Sequence, residues 1–182
     1  MNIKEHYETA FENGFAGLEI DCSANCAGLL NNVVNSAEAR ELLRKLNKRD
    51  LQLAPLWAGS SIDFAALAQT VEEAIEKAIL LRVPFVAFGF SADAAQKHMP
   101  QMVGFLQPLL KKAQEQDICL LIETEGCFAD TKVLSELLDN FASDNLAALW
   151  NIHHTYCYGK ETAAKTIENL GAYVKQIGRA HV

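Results

Sequence analysis

The sequence predicts an α/β protein whose parallel strands curl into part of a (β/α) barrel, and three observations lead there. Short, wholly apolar runs alternate regularly with helical stretches, the runs lack in/out alternation, and polar residues gather where the runs end. Apolar strands of this kind belong to parallel sheets covered on both faces. Strand–helix crossovers between them are right-handed and build either an open sheet or a barrel. Polar residues at strand C-terminal ends favour the barrel, which builds its site there.

Each element follows from local signals. Residues 4–13 read as a short amphipathic helix stopped by Gly14, and Gly17-Leu18-Glu19-Ile20-Asp21 as a strand ending in carboxylates. Ser36 can cap a helix running to Asn47, with Glu38 and Glu41 in its first turns, where the helix dipole favours negative charge. Residues 51–54 form a second strand, closed by Pro55. Asp63 caps a long helix with Phe64, Leu67, Val71, Ile75 and Ile79 at helical spacing. Residues 83–88 are a third strand ended by Gly89, and 102–116 are helical, with a hydrogen bond lost at Pro108. The fourth strand, 118–122, runs straight into Glu123. Residues 131–141 are helical, 146–150 are the fifth strand, 162–176 are helical, and a sixth strand begins near Arg179.

The 182 residues, 50% of them hydrophobic, suffice for one domain spanning 1–182. A charged fraction of 21% without low-complexity runs argues against disorder. The net charge of −7 speaks against a nucleic-acid partner, which would require a basic face. Residues 1–10 carry no apolar signal core, and the longest apolar stretch, 78–90, is broken by Arg82 and Pro84, so neither export nor a membrane is expected. Five cysteines without paired spacing suggest reduced thiols and a cytoplasmic protein; Cys22 and Cys26 have no second Cys/His pair to complete a metal site.

Neither G-x-G-x-x-G nor a phosphate-binding G-x-x-x-x-G-K-[ST] loop occurs, which removes the usual nucleotide-binding open sheets. At the strand ends stand Glu19 and Asp21, Glu123 and Glu125, Asn151, His153 and His154, and His181. Carboxylates and imidazoles from neighbouring strand ends suit Mn²⁺, Mg²⁺ or Zn²⁺. Such an ion could stabilise an enediolate while a carboxylate acts as general base. Spacing alone equally allows Glu123 to pair with a lysine and the histidines to sit in the core or at the surface.

Five segments, in order, carry a resemblance. Gly14-Phe15-Ala16-Gly17-Leu18-Glu19-Ile20 is similar to a "GydgvEl" segment and Leu121-Ile122-Glu123-Thr124-Glu125-Gly126 to "lEnh-G". Leu149-Trp150-Asn151-Ile152-His153-His154-Thr155-Tyr156 resembles "lWDvhHpy", Gly159-Lys160-Glu161-Thr162 a "GE-(S/T)" turn, and Ile177-Gly178-Arg179-Ala180-His181-Val182 the start of "i-vHiKD". These are segments of the xylose isomerase-like sugar phosphate isomerase/epimerase superfamily, whose barrel is also shared by endonucleases acting on abasic DNA.

The resemblance implies a TIM-type (β/α)8 barrel of which about six units are present, lacking the first strand and the end. It implies Glu123 as metal ligand and proton-exchanging residue, His181 as metal ligand, and His154 as a contact to substrate oxygens. Asn151 stands where the family has a ligand aspartate; its carbonyl can coordinate, but without charge it should weaken the metal. Glu19 and Trp57 are candidate pocket walls, Glu125 is expected to face solvent or support the ligands, and His153 to be structural. The family's last ligand glutamate has no counterpart in the sequence. Open barrel edges would invite a homo-oligomer, and catalysis is expected to be weak or absent. Two further function classes stay open: a non-catalytic sugar-binding barrel, for which Asn151 speaks, and an abasic-site endonuclease relative, against which the charge speaks.

Overall fold

Six strands pair in chain order, every neighbour parallel: β1 (Gly17–Asp21), β2 (Gln52–Ser60), β3 (Phe85–Gly89), β4 (Cys119–Glu123), β5 (Leu146–Asn151) and β6 (Val174–Gly178). Helices connect them: α1 (Ile3–Glu12), α2 (Ser36–Asn47), α3 (Phe64–Leu81), α4 (Met99–Glu115), α5 (Thr131–Phe141), α6 (Ile152–Cys157) and α7 (Ala163–Leu170). The arrangement is an incomplete TIM-type (β/α) barrel, as expected, in a computed structural model that describes residues 3–23, 30, 33, 35–91 and 99–178. Among those residues no helix is long and apolar enough to cross a membrane.

The strands divide their residues between two faces. The outer face packs against the helices: Leu56, Val86, Phe88, Leu120, Ile122 and Ala148 are buried there with Leu67, Ile75, Leu106 and Leu134. An aromatic cluster of Phe64, Phe88, Phe90, Phe105 and Phe128, with centroids 5.6–5.8 Å apart, joins β3 to α3 and α4. The inner face is narrower: Ala87, Leu121, Ala147 and Leu149 are buried, flanked by Trp57, Phe85 and Cys119.

Several elements differ from the sequence reading. Asn35, not Ser36, caps α2: its side chain accepts from the N–H groups of Ala37 (2.8 Å) and Glu38 (3.2 Å). Pro55 does not close β2 but sits inside it. Leu18 pairs with Leu53 while Ile20 pairs with Leu56, so β2 carries one extra residue opposite Glu19. A bulge is where a strand tolerates proline, because the ladder there lacks the hydrogen bond that proline cannot donate. Ile79 is exposed, and Ala78 and Leu81 hold the buried face of α3. The last predicted helix is too long: α7 stops at Leu170, the Gly171 N–H bonds back to Ile167, and Val174 enters the sheet. The sixth strand is therefore Val174–Gly178 rather than 179–182, and those final residues lie outside the described ones. Asp63 caps α3 as expected, accepting from Ala65 (3.0 Å) and Ala66 (3.1 Å).

The Gly159-Lys160-Glu161-Thr162 turn fastens α5 to α7. Glu161 accepts from the Thr131 N–H (2.9 Å) and from the hydroxyls of Thr131 (2.6 Å) and Thr166 (3.0 Å), while Thr162 caps α7. A Cβ at Gly159 would stand 1.9 Å from the Ala129 carbonyl oxygen, so only glycine fits.

Candidate functional site

β4 and β5 deliver their last residues side by side. Glu123 is in register with Leu149, and the ladder continues one step as the Thr124 N–H donates to the Leu149 carbonyl at 3.0 Å. Thr124 is fully buried; its hydroxyl accepts from the Asn151 N–H (2.8 Å) and donates to the Asn151 carbonyl (3.3 Å). This side chain extends the pairing where the strands would otherwise part. Asn151, 4% exposed, donates from Nδ2 to Glu123 Oε1 at 2.6 Å, and its Oδ1 accepts the His154 N–H at 3.2 Å as the cap of α6. Both ends of the amide are thus engaged, and among the described residues Glu123 pairs with Asn151 rather than with a lysine.

Beyond β4 the chain turns at once. The Glu125 N–H donates to the Glu123 carbonyl (2.8 Å), and a 3-10 turn over Gly126–Ala129 follows, Gly126 adopting φ 57°. This carries the Glu125 carboxylate over Gly89, where a Cβ would stand 1.9 Å from Oε1. Of the two expectations for Glu125, the solvent-facing one does not hold: its Oε1 is buried and has no hydrogen-bond partner.

The floor beneath Glu125 is prepared by a second irregularity in β2. Trp57 pairs with Ala87 and Ser60 with Gly89, so one extra residue lies between them, and Gly59 takes φ 100°. The bulge turns Ser60 onto the inner face, beside Glu125. Burial pushes the Glu125 carboxyl up to about 7, the approach of the Ser60 hydroxyl opposes this, and the Glu123 charge adds to it.

His154 Nδ1 is likewise buried without a partner. Burial lowers the His154 pKa, the Glu123 charge opposes that, and His153 reinforces it, favouring a neutral imidazole with a lone pair to offer. Each such orphaned buried atom costs on the order of 1–3 kcal/mol if left unmatched. Ligand atoms of Glu123, Glu125 and His154 lie within 4.8 Å of one another. Two carboxylates and a neutral imidazole are donors that fit a first-row divalent cation.

The other predicted site residues lie apart from this group. Trp57 is half-buried on the inner face and lines a cavity of about 360 Å³ with Asp21, Ser23, Ser60, Ser61 and Thr70, at the C-terminal ends of β1 and β2. Glu19 is exposed on β1, separated from β4 by β2 and β3. His153 meets Cys157 (Nδ1 to Sγ 3.6 Å) and the Tyr158 ring. His181 and Cys26 lie outside the described residues, while Cys22, Cys119, Cys127 and Cys157 are free thiols. Sequence reasoning gave Glu125 only a supporting or solvent-facing role and passed over Thr124. A threonine flanked by two glutamates at a strand end was the available signal, but the turn that aims Glu125 inward was not legible.

No family model and no curated protein matches the sequence. Solved structures do. A xylose isomerase domain protein from Planctomyces limnophilus aligns over 97% of this chain and 70% of its own, with a TM-score of 0.75 and 16% identity. The 3-keto-D-glucoside 4-epimerase of E. coli aligns over 99% and 74%, with a TM-score of 0.77 and 13% identity. The IolI protein with a bound zinc atom aligns over 98% and 68%, with a TM-score of 0.74 and 13% identity. At such identities the likeness is one of fold: this chain has the fold of an incomplete TIM-type (β/α) barrel, similar to that of these proteins.

Proposed function

We propose that the chain binds a small sugar or sugar phosphate at the C-terminal ends of β4 and β5 and moves a proton on it, as an isomerase or epimerase does. The observation that carries this reading is the Glu123 carboxylate, held by Asn151 at 2.6 Å at the end of the inner face. Asn151 fixes Oε1, which leaves Oε2 to take a proton from a substrate carbon next to a carbonyl. The C–H electron pair then forms the double bond of an enediolate; Glu123 returns the proton to the neighbouring carbon in isomerisation, whereas epimerisation takes a proton on the opposite face of the first carbon. His154, with its neutral imidazole, hydrogen-bonds a substrate oxygen. A divalent cation, when bound, draws electron density from the carbonyl and its neighbouring hydroxyl and so stabilises the enediolate. The Trp57 cavity, of a size for a small sugar, adjoins this site at Ser60 but is not lined by Glu123, Glu125 or His154.

The test is solvent exchange. Ketohexoses and their phosphates are incubated with the chain and Mn²⁺ in D₂O, and deuterium on carbon is followed by NMR. Exchange that Glu123→Gln abolishes, with sugar binding retained, supports the proposal. Binding without exchange favours the second reading, a sugar-binding barrel, to which the uncharged Asn151 points. Neither binding nor exchange rejects both.

A further inference from the structure

We infer that this chain holds a divalent cation through Glu123, Glu125 and His154, and that Asn151 is a positioning residue bracing Glu123 rather than a ligand. The inference rests on the proposed function only in taking the Glu123 carboxylate as the centre of the site. It departs from the ligand set implied by resemblance, which joins Glu123 to Asn151 and His181.

Asn151 can coordinate only through Oδ1, and that atom caps α6 by accepting the His154 N–H, while Nδ2 donates to Glu123. Turning the amide toward an ion would break both hydrogen bonds of a residue only 4% exposed. Glu125 and His154 are in the opposite condition. Each keeps a buried polar atom with no partner, Oε1 in one and Nδ1 in the other. Buried polar groups are normally matched, so two orphans beside a second carboxylate mark a position for something that accepts electron pairs.

The spacing agrees. An ion bound at about 2.0–2.2 Å from each ligand allows no two ligand atoms more than about 4.4 Å apart. The three residues already lie within 4.8 Å, so small side-chain rotations close the set. Backbone features keep the third ligand in place: Gly89 leaves the space that the Glu125 carboxylate fills, and the Gly59 bulge brings Ser60 beneath it. Three protein ligands leave positions open for two oxygens of a bound sugar, and mixed carboxylate–imidazole donors suit Mn²⁺ or Zn²⁺.

MnCl₂ titrated into the purified full chain tests this, read by calorimetry and by electron spin-echo detection of nitrogen coupled to the bound ion. One Mn²⁺ per chain is expected. Glu125→Gln, nearly isosteric, should weaken binding at least about tenfold. The imidazole nitrogen coupling should vanish in His154→Gln and persist in His181→Gln. The inference is overturned by unchanged affinity in Glu125→Gln, by coupling that survives His154→Gln and is lost in His181→Gln, or by no Mn²⁺ binding. Sugar exchange that fails while Mn²⁺ binds through these residues strikes the proton-transfer reading and leaves the ligand set standing.

Discussion

The two faces of the sheet use the same strands for opposite purposes. On β4, Leu120 and Ile122 turn outward into the helices, while Leu121 and Glu123 turn inward. The outer face holds five interlocked phenylalanines; the inner face is built on alanines and leucines and rises to Glu123 and Asn151. A fully buried leucine stabilises by about 1.5–3 kcal/mol, and an orphaned buried polar atom costs about 1–3 kcal/mol. Each outward leucine can therefore offset one inward polar group left waiting for a ligand. Stability resides on one side, which frees the other for chemistry.

That division can be broken or sharpened by substitution. The largest effect on stability is expected from Phe90→Ala, at the centre of the aromatic cluster: a loss of about 3–5 kcal/mol in urea denaturation. A loss below about 1 kcal/mol would deny the outer face its role.

A smaller, pH-dependent effect belongs to the inner face. The folded metal-free chain holds the Glu125 proton more tightly than the unfolded chain does, since the pKa is pushed up to about 7 from an ordinary 4.5. The contribution of this group to stability is therefore full below about 4.5, falls as the pH rises, and levels off above about 7. Denaturation midpoints at pH 5 and pH 8 should show this fall in the wild type and a weaker one in Glu125→Gln. Equal falls would mean that Glu125 is well solvated.

Asp63→Ala removes the cap of α3 and should cost about 1 kcal/mol at pH 7. The smallest change in stability, within about 1 kcal/mol, is expected for Gly89→Ala. The new methyl group displaces the flexible end of Glu125 rather than any backbone, so its signature is a flattened pH fall without a lost fold. A Gly89→Ala chain that keeps the full pH fall would separate Glu125 from the Gly89 floor.

Much of the frame was legible because it depends on neighbours along the chain. Apolar runs marked five of the six strands and their direction, and α5 fell at Thr131–Phe141 as read. The misreadings share one cause, a tertiary requirement that overrides a local signal. Pro55 looked like a stop, yet a bulge shared with β1 carries it within β2. Residues 171–176 continued a helical pattern, yet β5 needed a partner and Val174 supplies it. At the site, Glu123, Asn151 and His154 stood out as polar residues after apolar strands, and they do come together. Glu125 stood among them too, but its aim was not legible, because it depends on Gly126 at φ 57° and on space left by Gly89, 36 positions earlier in the chain. Thr124 was overlooked because a hydroxyl that completes a ladder looks no different in sequence from one in water.

The bulge at Gly59 makes β2 a strand with a phase. Between its two bulges Leu56 and Ala58 look outward and Trp57 inward; past the second, Ser60 looks inward although it too is even-numbered. Without the bulge, the same residues in regular alternation would turn Ser60 to the outer face, away from Glu125. The bulge is a shift of reading frame written in space: the same letters, in the same order, addressed to the other side of the wall.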